Sequence, residues 1–399
     1  MKSLKVCLLD GVHDAAVDVF TRAGFKNIHL FPDSLSPEKL EQELTDAAIV
    51  GIRSKTKLPT EVLMKAPNLL CVGRYGIGVD NVDLKTAQEL GIPVFNGPHA
   101  STRSVAEWVM GSTFALFRKL TEKTGDLQSG KWTKSGKGCF EVRGKTMGLI
   151  GYGNIAAQIS IMAEALGMNV IYSDIRKVLP LGLAEQRPFA EVLEKADVVS
   201  LHVPGLPSTR DLMNADTIGM MKKGSFFINS SRGNVVNPEA LKLALESGHL
   251  LGAALDVFVD EPKKNSPFES ILRGIPNVVL TPHIAGSTEE SQEALGSEVS
   301  EKMLNYIQLG DSSMAVNFPQ IGLGTPKEGH TRILVIHKNQ PGVLAQINSV
   351  LAEKNINVAS EILQTYDSIG VVALDIGSES NDFCALLMNL DVVIKCRTI

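Results

Sequence analysis

Gly151-Tyr152-Gly153-Asn154-Ile155-Ala156 follows the apolar run Met147–Ile150 and opens a stretch with helical periodicity. This succession of strand, glycine turn and helix constrains the chain more than any other segment. The turn needs one glycine to bend and a second where the backbone approaches a pyrophosphate. A small residue is needed where helix meets strand, a place Ala156 fills. The free amides of the helix start then suit an anion. Asp174 ends the next apolar run, roughly 20 residues on, where a carboxylate accepts both ribose hydroxyls and repels a 2′-phosphate. NAD is therefore expected over NADP, with Arg176 and Lys177 softening the preference. The competing reading is a plain tight turn and a solvated aspartate.

Short apolar runs alternate with amphipathic stretches, the pattern of a parallel α/β sheet. Val6–Leu9, Ala48–Ile52, Leu69–Val72 and Pro93–Phe95 read as strands of a first domain, and a helix is expected from Ser104 to about Lys119. Met147–Ile150, Asn169–Ser173, Val198–His202, Ser225–Asn229, Gly252–Asp256 and Val278–Thr281 then make a doubly wound dinucleotide domain. A helix from Thr288 to about Leu309 is expected to return to the first domain. This divides the chain into 1–100 with 287–321, 101–286, a Gly/Pro-containing linker at 322–330, and a module at 331–399. The module reads as βαββαβ: Arg332–His337, a helix from Pro341-Gly342 to about Lys354, a hairpin Asn357–Tyr366 and Gly370–Ile376, a helix near Asp382–Met388, and Val392–Arg397.

The 399 residues exceed what one core organises, and 44% hydrophobic with 21% charged residues is an ordinary globular balance. A net charge of −5 gives no reason to expect nucleic acid or an anionic membrane. The longest uncharged stretch, Thr146–Ala163, carries Gly151, Gly153, Asn154 and Gln158, which a bilayer would strand. Met1-Lys2 leads into a short apolar run that meets Asp10 at once, unlike a signal peptide. Five scattered cysteines without metal spacing fit a reducing cytoplasm, and no metal is expected.

Arg232, Glu261 and His283 each follow the end of one of three successive strands, at the carboxyl edge where ligands of open α/β sheets collect. The planar fork of Arg232 suits a carboxylate and an adjacent C2 oxygen. Histidine is the usual general acid and base because a free imidazole titrates at roughly 6.5. A nearby carboxylate such as Glu261 favours its charged form. Together the three point to hydride transfer on a 2-hydroxy or 2-oxo acid. Taken singly, Arg232 equally fits a structural ion pair and His283 an incidental loop residue. Asp256 ends its strand and could reach a nicotinamide carboxamide. His202 reads as structural and His99 stays open.

Arg53-Ser-Lys-Thr56, Ile77-Gly-Val-Asp80, Asn96-Gly-Pro-His-Ala-Ser-Thr-Arg103, Ser230-Ser-Arg-Gly233, Asp256-Val-Phe-Val-Asp-Glu-Pro262 and Pro282-His-Ile-Ala-Gly-Ser-Thr288 are landmarks of a known family. The chain resembles the D-isomer-specific 2-hydroxyacid dehydrogenases nearly end to end, and within them the bacterial branch that acts on 3-phosphoglycerate and carries one C-terminal ACT domain. The resemblance implies two Rossmann-like parallel-sheet domains plus the βαββαβ module. It implies NAD contacts at Gly151, Gly153, Asn154, Ile155, Asp174, Ser230, Ser231, Arg232, Asp256, His283 and Gly286. Arg53, Ser54 and Asn96 would face substrate, with Arg74 and Arg103 as weaker candidates. Trp132 and Lys134 match a loop that in relatives reaches a neighbouring subunit's site. His337, Asn339 and Asn357 match positions that bind L-serine as effector. The implied assembly is a homo-oligomer, a tetramer through NAD-domain and ACT-domain contacts.

The implied reaction is NAD-dependent oxidation of D-3-phosphoglycerate to 3-phosphohydroxypyruvate, the first committed step of L-serine biosynthesis, with serine feedback. One departure opens an alternative. Some relatives place a lysine after the second strand to hold the phosphate, whereas Phe31-Pro32-Asp33 stands here. A broader reductase of 2-oxoglutarate, hydroxypyruvate or glyoxylate is the second expectation. A redox-sensing binding protein without turnover is the third, disfavoured by the intact Arg232, Glu261 and His283. Ala285 replaces a commoner glycine, a small change expected to be tolerated.

Overall fold

The computed structural model describes residues 3–262, 266–326, 328–377 and 383–399. Met1 and Lys2, Lys327 of the expected linker and Asp382 of the expected last helix lie outside them. The chain forms two compact units: one holds the sequence through Ala100 together with Gln292–Ile399, the other Ser101–Ser291.

The first unit is built on a parallel sheet of β1 (Lys5–Leu8), β2 (Ile28–Leu30), β3 (Ala47–Ile52), β4 (Cys71–Arg74) and β5 (Val94–Asn96), in the order β2-β1-β3-β4-β5. The central strands are buried on both faces, as continuous apolar runs require. β2 escapes the apolar-run rule because it is a three-residue edge strand carrying His29. The helix Glu289–Leu309 enters this unit at Gln292 and lays Val299, Met303, Tyr306 and Ile307, one helical face, into a core with Phe20, Tyr75 and Phe95. Gly73 lets it seat so closely, since a β-carbon there would lie 2.6 Å from Met303 Sδ and 2.8 Å from Val299.

The second unit contains β6 (Thr146–Ile150), β7 (Asn169–Ser173), β8 (Glu185–Gln186), β9 (Val198–Leu201), β10 (Ser225–Asn229), β11 (Leu250–Leu255) and β12 (Val278–Leu280). Their order, β12-β11-β10-β9-β6-β7-β8, is all parallel and reverses beside β6. β8, two exposed residues, has no apolar signature to read. Helices Thr102–Arg118 and Asn154–Ala165 cover one face, and Phe189–Lys195, Ala215–Met220 and Pro238–Glu246 cover the other. No helix among the described residues is long and apolar enough to cross a membrane.

β13 (His330–Lys338), β14 (Val358–Tyr366), β15 (Ile369–Gly377) and β16 (Val393–Thr398) form an antiparallel sheet ordered β14-β15-β13-β16. Asp367, in the left-handed region at φ 53°, makes the hairpin turn between β14 and β15. Helices Val343–Glu353 and Phe383–Leu387 pack on Ile333, Val335, Val372, Leu374 and Ile376. The opposite face, Leu334, Ile336, Ile369, Val371 and Ala373, joins the core of the first unit beside Tyr306, Phe318, Ile321 and Leu323. The module is thus sandwiched between its own helices and the first sheet's layer.

Polar staples reinforce that seam. Arg332 gives Nε and Nη2 to the two oxygens of Asp375 at 2.7 and 2.8 Å, while Nη1 donates to the carbonyls of Leu309 (3.0 Å) and Gly324 (2.6 Å). Arg397 lies over the Tyr306 ring at 4.4 Å and donates to the Tyr306 and Ile307 carbonyls. Lys395 donates to the Leu69 carbonyl at 2.7 Å. Arg332 and Asp375 are both buried, so truncating one strands the other's charge. Arg332→Ala is expected to lower the unfolding free energy by about 3–5 kcal/mol, and the double change Arg332→Met with Asp375→Leu by clearly less. Urea denaturation of the three proteins measures this; equal losses would show that pairing is not what holds the seam.

Candidate active site

The cofactor and catalytic candidates of the second unit follow strands at the carboxyl edge of its sheet. β6 leads into Gly151, β7 into Asp174, β9 into His202, β10 into Ser230–Arg232, β11 into Asp256, and β12 into His283. Gly151 is required twice over. Its φ is +87°, and a β-carbon there would sit 2.5 Å from the His202 carbonyl oxygen. Gly153 differs: a β-carbon would meet nothing within 4 Å. It caps the helix Asn154–Ala165, whose first turn has no side-chain cap, leaving open room before the helix start. Asp174 is oriented by the amides of Tyr152 and Arg176, each donating at 2.9 Å. The Ser230 hydroxyl is buried and makes no hydrogen bond among the described residues. Open space, the unspent Ser230 hydroxyl and a fixed carboxylate along one sheet edge fit a dinucleotide. Ile155 packs toward the core and Gly286 lies 3.3 Å, by its missing β-carbon, from Ser101.

His283 Nδ1 lies 2.7 Å from Glu261 Oε2, and the Phe258 amide donates to the other Glu261 oxygen at 3.0 Å. Burial pushes the Glu261 carboxyl up. The His283 hydrogen bond, the Phe258 amide and the charges of His283 and Arg232 outweigh it and hold Glu261 below its usual range. An ionised carboxylate only accepts, so Nδ1 carries the proton and Nε2 is left for exchange. The His283 side chain is about half exposed (51%), as a group that meets a ligand must be. Arg232 donates from Nη1 to the Ser231 carbonyl at 2.8 Å. Gly233, just after it, is pressed against the Phe258–Val259 backbone, where a β-carbon would be 2.5 Å from the Val259 nitrogen. The loops bearing Arg232 and Glu261 therefore meet only because residue 233 has no side chain.

Buried Asp256 has a role that its strand-end position did not reveal. Oδ1 accepts the Thr281 hydroxyl (2.5 Å) and the Ile284 amide (2.9 Å), Oδ2 the Ala285 amide (2.8 Å), and its carbonyl the His283 amide (2.8 Å). His283 itself sits at φ 56°, a left-handed conformation that costs a non-glycine residue roughly 1–2 kcal/mol. Burial pushes the Asp256 carboxyl above its usual range despite those donors and the charge of His283. Ala285 needs no glycine, for its backbone is not in the left-handed region. Asn229 was missed. Fully buried, it accepts the Ser231 amide (3.0 Å) and hydroxyl (2.8 Å) and donates to the Arg232 carbonyl (2.9 Å). An asparagine closing an apolar strand is the signal that could have found it. His202 hydrogen-bonds Ser200 at 2.9 Å, a structural use.

In the first unit Arg53 and Ser54 follow β3, Arg74 ends β4 and Asn96 ends β5, so adjacent strands bring these four to one edge. Asp10 and Asn81, neither anticipated, hold that edge. Asp10 accepts the Arg53 and Thr56 amides (3.0 and 2.9 Å) and the Thr56 hydroxyl (2.6 Å), while Asn81 donates to the Arg53 and Thr56 carbonyls (2.7 and 2.6 Å). Asn96 donates to the Ile77 carbonyl at 2.6 Å. Lys55 pairs with Asp33 at 3.0 Å. In the second unit Arg103 is exposed and pairs with Glu107 at 2.6 Å along its own helix. Trp132, 80% exposed, and Lys134 stand on an irregular segment after the helix Leu120–Gln128.

The effector candidates divide. His337 is buried, with Nδ1 2.8 Å from the Lys338 carbonyl, Nε2 without a hydrogen-bond partner among the described residues, and its ring lying over Gly370. Burial lowers its pKa. Asn339 donates to the Ser368 and Asp367 carbonyls at 2.8 and 3.0 Å. Asn357 is exposed just before β14, whose first residue Val358 pairs with Ile376, whereas His337 pairs with Gly370. Six residues of strand, about 20 Å, separate the two ends. One module does not bring all three together.

This edge, with its nucleotide turn and its imidazole–carboxylate pair, belongs to the class of NAD-dependent α/β oxidoreductases. Residues 110–285 match the model of the D-isomer specific 2-hydroxyacid dehydrogenase NAD binding domain, and residues 333–395 that of an AHAS small subunit-like ACT domain. D-3-phosphoglycerate dehydrogenase of Haemophilus influenzae is 45% identical over 99% of this chain and 97% of its own, and that of Escherichia coli K12 is 46% identical over 95% and 92%. The solved D-lactate dehydrogenase of Aquifex aeolicus, complexed with NAD and lactic acid, superposes with a TM-score of 0.69 at 26% identity, covering 79% of this chain and all of that one. The chain belongs to the D-3-phosphoglycerate dehydrogenase family, and its cofactor is NAD.

Asp256→Ala would leave two loop amides and a hydroxyl without their acceptor. The expected loss is about 2–4 kcal/mol of stability, with faster hydrogen exchange at Ile284 and Ala285. Exchange unchanged at those amides would show that Asp256 does not organise the loop.

Proposed function

We propose that the protein oxidises D-3-phosphoglycerate at C2 to 3-phosphohydroxypyruvate, with His283 as acid/base, Glu261 as its positioning carboxylate and Arg232 as the clamp on the substrate carboxylate. The observation that carries this reading is the 2.7 Å His283–Glu261 pair at the sheet edge that also bears Arg232. Bound NAD would supply the oxidant, accepting the hydride from C2. His283 Nε2 takes the C2 hydroxyl proton as hydride departs and returns it in the reverse direction. Glu261 holds the ring at Nδ1 and offsets the charge the ring acquires. Arg232 fixes the acid through its planar donors. Arg53, Ser54, Asn96 and Arg74 face the phosphorylated end, with Arg103, Trp132 and Lys134 as further candidates. Ser230, Ser231, Asn154, Ile155, Asp174, Asp256 and Gly286 line the dinucleotide.

A second reading has one observation in its favour. Asp33 pairs with Lys55 beside Ser54, placing a carboxylate where a phosphate would want cations, which favours unphosphorylated 2-oxo acids. NADH consumption with 3-phosphohydroxypyruvate, 2-oxoglutarate and glyoxylate in parallel separates the two. A clear preference for an unphosphorylated acid would overturn the first reading.

His283→Ala is expected to cut kcat by about 10²–10⁴-fold while leaving NADH affinity intact. Turnover retained at wild-type level would remove His283 from the chemistry. Glu261 lies below its ordinary 4.5, so its contribution to stability is complete above that pH and is lost as pH falls through the lower folded value. Glu261→Gln should therefore flatten the acid side of the stability profile, read as midpoint of thermal unfolding against pH.

The ACT module is read as the site of L-serine feedback through His337, Asn339 and Asn357. Since Asn357 lies at the far end of the sheet from the other two, a second copy of the module would complete the site, which supports a homo-oligomer, taken as a tetramer. Asn357→Ala is expected to weaken inhibition by L-serine about tenfold or more without altering uninhibited kcat. Indifference of the wild-type enzyme to serine would remove this claim.

A further inference from the structure

We propose that Cys384 and Cys396 form a reversible dithiol–disulfide site, closed by a hydroperoxide, on the strand that staples the ACT module to the first sheet's layer. Cys384 lies in the helix Phe383–Leu387 and Cys396 in β16, with their sulfurs 2.7 Å apart. Closing to the roughly 2.05 Å of a disulfide asks little movement of either. Both are partly exposed, whereas Cys7 and Cys71 are buried. Cys139, also partly exposed, faces the Arg118 carbonyl at 3.6 Å rather than a second thiol. The pair is the one place in the described chain where an oxidised sulfur would find its resolving partner in contact.

The two thiols are not equivalent. Cys396 donates its S–H to Cys384, which draws the Cys384 thiol down, against burial and with help from the Thr398 hydroxyl 3.6 Å away. The same hydrogen bond, with burial, drives Cys396 up. Cys384 is thereby the nucleophile and Cys396 the resolving thiol. The Cys384 thiolate attacks one peroxide oxygen, the O–O bond breaks, and a sulfenic acid forms as the hydroxide released takes up a proton. The Cys396 sulfur then displaces hydroxide from Cys384 as its own proton leaves, giving the S–S bond and a second water. The two thiols supply the two electrons that reduce the peroxide, and a dithiol reductant reverses the bond.

Position gives the site its consequence. Cys396 stands between Lys395 and Arg397, whose side chains point to the other face of β16 and hold the Leu69, Tyr306 and Ile307 carbonyls. A covalent tie at Cys396 is set on the edge strand that carries these two staples.

The test uses the full-length enzyme with hydrogen peroxide, followed by differential alkylation and mass spectrometry. Expected are a Cys384–Cys396 cross-link, loss of two of the five thiols, and recovery with dithiothreitol. Cys396→Ser should instead accumulate a dimedone-trapped sulfenic acid at Cys384, and Cys384→Ser should slow thiol loss about tenfold or more. Both thiols intact at a roughly tenfold excess of peroxide, oxidation falling on Cys139 instead, or cross-links between chains would each overturn the proposal. Should a serine variant fail to fold, the wild-type map decides alone.

Discussion

The buried carboxylate of Asp256 is the interaction on which the sheet edge bearing His283 depends. It spends both oxygens on the Thr281–Ala285 loop and its carbonyl on the His283 amide, so the histidine keeps a backbone conformation it would not choose unaided. Placing an ionisable group under a loop costs desolvation, visible in the upward push on its own carboxyl. What the fold gains is an imidazole whose one nitrogen is committed to Glu261 and whose other is available. Asn229 does the same for Ser231 and Arg232, and Asp10 for Arg53 and Thr56. One device, a short polar side chain after an apolar strand that hydrogen-bonds the backbone of a loop at the sheet edge, recurs at both parallel sheets.

Much of this was legible in the residues. Continuous apolar runs such as Ala48–Ile52 and Ser225–Asn229 emerge as buried parallel strands, because a strand covered on both faces has no polar alternation. The glycine turn, Asp174, Arg232, Glu261 and His283 were all readable as strand-end residues. Local pattern was silent about β2 and β8, short edge strands held by pairing rather than by apolar content. It was equally silent about Asp10 and Asn81, whose roles are hydrogen bonds across long stretches of chain, whereas Asn229 bonds only to the residues just after its own strand. The spread of His337 and Asn357 to opposite ends of one sheet follows from register, which no motif encodes.

The ACT module illustrates a different limit. Its strands β13 and β15 carry the apolar runs Ile333–Ile336 and Val371–Leu374, a pattern suited to burial on both faces, yet a Gly/Pro-containing segment before them suggests a tethered body. The structure resolves this by giving each face its own partner, helices on one side and the layer of Tyr306 and Phe318 on the other. Arg332 and Arg397 then cap carbonyls at the end of the helix Glu289–Leu309, a place where cations are favoured by the helix dipole as well as by the hydrogen bonds they donate.

That shared apolar wall has an evolutionary cost. A lineage that discarded the module would leave Tyr306, Phe318, Ile321 and Leu323 facing water, and one that borrowed it would carry a naked Leu334, Ile336 and Val371. Gain or loss of the module therefore calls for resurfacing on both sides of the joint.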